Sequence, residues 1–229
     1  QYSSEDDDLV GTFYVPALRC ATRYDRATGY FNAAILRMAA EGIEHLVRNG
    51  GKMRLIVGCT LAPAEIAAIE QGLAVRDAVA KALEGALPSE TDPPTRDALE
   101  LLSWMVAHDF LDVKVAVPCD SQRRPVTATG IFHDKSGILI DADGDRLAFN
   151  GSVNETAAGW TTNWESYDVF TSWQDRVRVE NEARKFEMLW EDRARRVLLV
   201  GVPEAVRAEL MRFLPNPGEQ PRRLRALDD

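Results

Sequence analysis

A chain of 229 residues and 25.5 kDa, with 45% apolar and 28% charged side chains, has globular composition. Disordered, collagen-like and coiled-coil architectures are excluded on that ground. The formal net charge is −9, from 27 Lys+Arg against 36 Asp+Glu. The strongly basic balance common among nucleic-acid binders is therefore absent, although a local patch suffices to touch phosphates. No run approaches the roughly 20 apolar residues that span a bilayer. The acidic start at Glu5, Asp6, Asp7 and Asp8 is unlike a secretory signal, so the expectation is a soluble, cytoplasmic protein with no membrane partner. Cys20, Cys59 and Cys119 are an odd, scattered set, read as reduced core residues rather than a disulfide framework or zinc ribbon.

In chain order, Ala27–Phe31 reads as a short strand entered through Tyr24-Asp25-Arg26. Ile35, Ala39, Ile43, Leu46 and Val47 recur at helical spacing, and Asn49-Gly50-Gly51 ends that helix. Met53–Val57 is a buried strand, so strand, helix and strand form a parallel crossover. Pro63 opens a helix running to about Gly85, and another is expected from Thr95 to His108. Val113, Val115 and Val117 alternate as a strand; Ser121–Pro125 is a basic loop. A strand is predicted over Ile131–Ile140, a turn at Asp141–Asp145, and strands at Arg146–Asn150 and Ser166–Ser172. Val179, Ala183, Phe186 and Trp190 mark a long helix, and Pro203 starts a short one ending at Leu214. The fold class is α/β, a mixed sheet flanked by helices, with one domain over 1–214 and a linker or tail over 215–229.

Chemistry concentrates in Phe132-His133-Asp134-Lys135, then Gly151-Ser152-Val153-Asn154, then Glu165. On a strand, residues two apart share a face, so His133 and Lys135 project side by side. The Asp143-Gly144 turn brings the Gly-Ser-x-Asn loop to the same sheet end, where Gly151 lets backbone approach an anion and Ser152 and Asn154 offer neutral groups. Glu165 would orient one imidazole nitrogen and leave the other free to attack.

This grouping resembles the phospholipase D superfamily, whose signature is His-x-Lys followed by Gly-Ser-x-Asn, over residues 129–173. It further resembles the phospholipase D-like modules at the amino end of bacterial DEAD/DEAH or Swi/Snf-type helicases. The shared features are Tyr24-Asp-Arg26, Gly29-Tyr-Phe31, Gly50-Gly-Lys-Met-Arg-Leu55, His133-x-Lys135, Phe149-Asn-Gly-Ser-Val-Asn-Glu-Thr156, Asn163-x-Glu-Ser166 and the Trp173 strand end. The resemblance implies metal-independent phosphodiester hydrolysis, with no cofactor, through a phosphohistidine on His133. Lys135 and Asn154 would neutralise charge, Ser152 would bind phosphate and Glu165 would aim the nucleophile. It also implies DNA as substrate, a nuclease module covalently joined to a helicase, and a role in anti-phage defence. Because only His133 lies in a His-x-Lys, the second histidine must come from another copy, which predicts a homodimer with the site at its interface. A departure is the acid expected after four intervening residues beyond the lysine: that position holds Ile140, and Asp141 falls one later, on the opposite strand face.

Plainer readings stand beside these. Ser152 and Asn154 also suit a turn or helix cap, and Glu165 suits a surface ion pair. Asp141–Asp145 places its Gly fourth, against an EF-hand. Tyr30 and Phe31 fit either base stacking or core packing; Arg123-Arg124 and Arg222-Arg223-Leu-Arg225 fit either phosphate contact or plain surface charge. An alternative function is a catalytically inactive DNA-binding or dimerisation module of the same fold. A lipid phosphodiesterase lacks any amphipathic basic helix to support it.

Overall fold

A computed structural model describes all residues except 6, 30–39, 62, 72–73, 84–92, 127–129, 155–156 and 226–229. The strands are β1 (Tyr2–Ser3), β2 (Ala21–Thr28), β3 (Lys52–Gly58), β4 (Leu111–Pro118), β5 (Ser136–Asp141), β6 (Arg146–Gly151), β7 (Ser166–Thr171) and β8 (Val197–Gly201). They form one mixed sheet in the order β1-β7-β6-β5-β2-β3-β4-β8, in which β2, β3 and β4 run parallel and every other pairing is antiparallel. The helices are α1 (Val15–Cys20), α2 (Ala40–Arg48), α3 (Pro63–Glu70), α4 (Val75–Ala82), α5 (Pro93–Ala107), α6 (Ala157–Thr161), α7 (Arg176–Trp190), α8 (Glu204–Met211) and α9 (Arg222–Arg225).

Alternation along the strands sorts the core. On one face Tyr24, Met53, Leu55, Leu139, Phe149 and Tyr167 pack against residues of α1, α2 and α5. On the other, Ala27, Ile56, Ile138 and Ala148 pack against Val179, Phe186 and Trp190 of α7. The α7 face also holds charge: Arg54 bonds both Asp25 oxygens at 2.7 and 2.8 Å and Glu187 at 2.6 Å. The same guanidinium lies 4.9 and 5.0 Å from the ring centres of Phe186 and Trp190.

Several expectations shift. The first large strand is Ala21–Thr28, so Asp25 and Arg26 lie inside it rather than before it; Tyr30 and Phe31 fall outside the described residues. The helix expected from Pro63 to Gly85 is two helices, α3 and α4. The strand expected over Ile131–Ile140 begins only at Ser136, where the ladder to β2 ends at the Ala27–Ser136 pair although β2 itself runs on to Thr28. His133 and Lys135 sit in the segment leading into β5, where the Lys135 carbonyl still accepts the Gly151 N–H at 3.3 Å. In α9, Leu224 is buried and its carbonyl accepts a bond from Arg48 at 3.2 Å. Among the described residues, no helix is long and apolar enough to cross a membrane.

The hairpin turn assigns Asp141 a local role. Its Oδ1 accepts the backbone N–H groups of Asp143 at 3.0 Å and Asp145 at 2.9 Å, and Gly144 takes a φ of 85°, which suits glycine. Six residue steps along the chain separate Asp141 from Lys135, roughly 20 Å. Asp141→Ala is expected to lower stability by about 1 kcal/mol, a Tm drop of roughly 2–4 °C, while leaving turnover per folded molecule unchanged. A thermal melt paired with an active-site-normalised assay checks both halves.

Candidate active site

The carboxyl ends of β2 and β3, the amino ends of β5 and β7 and the carboxyl end of β6 meet at one edge of the sheet. Edges at the carboxyl ends of parallel strands are where open α/β sheets take ligands. Lys135 reaches this edge from the segment before β5. The residue is 6% exposed, and its Nζ has no hydrogen-bond partner among the described residues. A buried ammonium without a partner is unfavourable unless an anion joins it. Burial pushes the Lys135 pKa below the usual lysine value; Glu165 and Asp134 pull it up, and Arg26 adds to the depression.

Gly29, Asn154 and Lys135 converge there. A methyl group at Gly29 would stand 2.9 Å from the Phe132 carbonyl oxygen, 3.2 Å from Asn154 Oδ1 and 3.7 Å from Lys135 Nζ. Buried Thr28 donates to Asn154 Oδ1 at 3.5 Å, a long bond that directs the amide nitrogen away from the threonine. Arg26, fully buried on the same face, donates to the Val153 carbonyl at 2.6 Å and lies 5.1 Å from the Phe149 ring centre. The guanidinium thereby fixes the backbone immediately before Asn154.

The other expected residues are placed as follows. His133 is exposed, and its imidazole makes no hydrogen bond among the described residues. Glu165 is buried; its carboxylate accepts from Asn163 Nδ2 at 3.2 Å and acts electrostatically on Lys135. Its backbone is clamped to Ser4, which receives the Glu165 N–H at 2.9 Å and donates its own N–H to the Glu165 carbonyl at 3.0 Å. No hydrogen bond joins Glu165 to His133 within one chain. The Ser152 hydroxyl is exposed and accepts the Ser166 N–H at 3.2 Å, while the Ser152 N–H bonds the Ser166 carbonyl at 3.0 Å. That hydroxyl serves to tie the loop to β7. Nearby Cys59 is no competing nucleophile, because burial pushes its thiol up to about 11.

The expectations from sequence passed over Arg26 and Thr28 as site-forming residues. The signal was the charged Arg26 inside a stretch otherwise suited to a central strand, since a buried charge needs a reason.

No family model matches this sequence, and no curated protein matches it. Among solved structures the chain is similar to NucT from Helicobacter pylori, at 13% identity and a TM-score of 0.46, over 82% of this chain and 87% of that one. It is similar to Nuc from Salmonella typhimurium, a phospholipase D family member, at 14% identity and 0.42, over 78% and 84%. It is also similar to phosphatidylserine synthase from Haemophilus influenzae Rd KW20, at 17% identity and 0.48, over 98% of this chain and 42% of that one.

Proposed function

We propose that this chain is a metal-independent phosphodiesterase of phospholipase D-like type, acting on DNA as a homodimer. The observation that carries the reading is the buried Lys135 ammonium, without a hydrogen-bond partner among the described residues, beside Asn154 and Gly29, with the exposed His133 imidazole two residues away. A cation held out of water without a partner is an anion site in waiting, and the adjacent imidazole is a nucleophile. An imidazole nitrogen of one His133 bonds to phosphorus as the bond to the leaving oxygen breaks. The partner subunit's His133 gives that oxygen its proton. The same partner imidazole then takes a proton from water, whose oxygen attacks phosphorus and breaks the P–N bond. Lys135 and Asn154 from both copies offset the charge that develops on the non-bridging oxygens. In a dimer Glu165 has an imidazole to orient that it does not meet within one chain. DNA as substrate, the helicase connection and a place in anti-phage defence rest on the sequence resemblance to helicase-associated modules.

The test is hydrolysis of bis(p-nitrophenyl) phosphate and of DNA in excess EDTA. Turnover is expected there, with a phosphohistidine trapped on acid-free denaturing quench. His133→Ala is expected to abolish both, a loss on the order of 10³-fold or more. Cleavage that needs added magnesium, or a His133→Ala variant as active as the parent, overturns the assignment.

One observation favours a second reading, an inactive DNA-binding or dimerisation module: the acid after the lysine is consumed in the hairpin turn. DNA affinity with neither turnover nor a trapped intermediate, in a protein of twice the chain mass, is its expected signature.

A further inference from the structure

Helix α7 touches both halves of the candidate site from the opposite face of the sheet, through side chains the proposed chemistry does not use. Lys185 Nζ lies 3.3 Å from Asp134 Oδ2 and 2.7 Å from Glu182 Oε2. Glu182 Oε1 accepts a 2.7 Å bond from Asn150 Nδ2. Asp134 is the residue between His133 and Lys135; Asn150 pairs with Ser136 across the hairpin and immediately precedes Gly151-Ser152-Val153-Asn154. Two residues three apart on one helix thus hold the two loops that build the site.

The geometry has a directional consequence. In an extended segment successive side chains leave opposite faces, so drawing Asp134 toward α7 turns His133 and Lys135 the other way. Neither the imidazole nor the ammonium has a hydrogen bond of its own among the described residues. Their aim therefore depends on the backbone, which is held at the Lys135 carbonyl by the Gly151 N–H at 3.3 Å and lies in no strand before Ser136. Asp134 and Glu182 are only 19% and 16% exposed at their side chains, which makes the contacts less screened than surface pairs. Burial opposes the charge on Lys185, but Asp134 and Glu182 outweigh it and keep its pKa above the ordinary lysine value.

We infer that Lys185 and Glu182 are positioning residues: the Lys185–Asp134 ion pair and the Glu182–Asn150 hydrogen bond set, from behind the sheet, the direction of the His133–Lys135 pair relative to Asn154. The inference rests on the phosphodiesterase reading of that site.

The experiment compares wild type, Lys185→Met, Lys185→Arg, Asp134→Asn and the Lys185→Met/Asp134→Asn double variant. Each is assayed on bis(p-nitrophenyl) phosphate in EDTA and titrated with inorganic phosphate, followed by NMR of the His133 imidazole. Lys185→Met is expected to lower kcat on the order of 10–100-fold with KM nearly unchanged, and to weaken phosphate binding several-fold. Lys185→Arg restores most of the loss, and the double variant is no worse than the poorer single, because both break one tie. Thermal melts show whether each variant is folded at the assay temperature. A folded Lys185→Met protein with wild-type kcat and phosphate affinity overturns this inference and leaves the site reading intact. A wild type that neither hydrolyses the ester nor binds phosphate overturns the site reading, and the inference with it.

Discussion

Lys135→Met is expected to give a protein more stable than wild type and without activity. Its Nζ is inaccessible and has no hydrogen-bond partner among the described residues, and its pKa is depressed even with Glu165 and Asp134 pulling the other way. A depressed pKa means that folding disfavours the cation relative to water. The sign follows from linkage: the unfolded chain binds the proton more tightly than the folded one, so at neutral pH the charged lysine subtracts from stability. The penalty fades as pH rises through the lowered folded pKa and is gone near the ordinary lysine value of about 10.4. Methionine matches the stem and removes the charge; Glu165 keeps its bond from Asn163. The expected gain at pH 7 is small, because Glu165 and Asp134 lose the attraction of the ammonium, and it shrinks toward alkaline pH. The expected loss in kcat is about 10³-fold, the upper end of what one positioned donor contributes. Saturating phosphate should raise the Tm of wild type and not that of the variant. A Lys135→Met protein less stable than wild type at neutral pH would show that the ammonium is structural, and the anion site would lose its basis.

That trade between stability and activity separates what the amino-acid order makes legible from what it conceals. Patterns that repeat locally are readable. The Asn49-Gly50-Gly51 stop is realised with Gly50 at a φ of 68°, the Val113–Val117 alternation lies in β4, and the stripe of Val179, Phe186 and Trp190 faces the sheet from α7. Contacts set by the tertiary ladder are not. The alternation before β5 continues smoothly in sequence, yet the ladder between β5 and β2 reaches only to Ser136 and Ala27. β8 pairs with β4 across some 80 residues, and β1 adds only Tyr2 and Ser3 to the edge at β7, so neither carries a local signal.

Charge was the harder part of the site to place. His133, Lys135, Ser152, Asn154 and Glu165 stand out as residue types at a recognisable spacing, but burial divides their roles. Lys135 and Glu165 are enclosed, His133 is open, and the Ser152 hydroxyl is spent on Ser166. Arg26 is the opposite case. A side-chain inventory assigns an arginine to the surface, whereas here its guanidinium is fully buried and bonded to the Val153 carbonyl. The two contacts from α7 to the site join residues 32 and 51 positions apart, beyond the reach of any periodicity.

Gly29→Ala is expected to cripple the site while barely touching the fold. Nothing is gained from glycine's conformational freedom here; the constraint is space. The added methyl would stand 2.9 Å from the Phe132 carbonyl oxygen, closer than real side chains tolerate, and 3.2 Å from Asn154 Oδ1. Of these neighbours the Phe132 carbonyl belongs to the segment before β5, which is in no strand, so it yields more readily than the paired strands β2 and β5. The strain is thus relieved by moving the His133–Lys135 segment and the Asn154 amide, each by a few tenths of an ångström or more. Misplacement on the scale of 1 Å costs about 10²-fold in rate. Overpacking at a site that can relax costs roughly 1 kcal/mol in stability. The expected result is a kcat lower by about 10–100-fold on a small phosphodiester, with a Tm within a few degrees of wild type. Gly58→Ala provides the control, since the nearest neighbours of its methyl would be the Gly29 carbonyl oxygen, Phe132 Cβ and Gly29 Cα at 2.8, 3.2 and 3.3 Å rather than Asn154 or Lys135. If the two variants lose the same activity, the loss follows general distortion of the loop, and Gly29 has no special relation to the anion pocket.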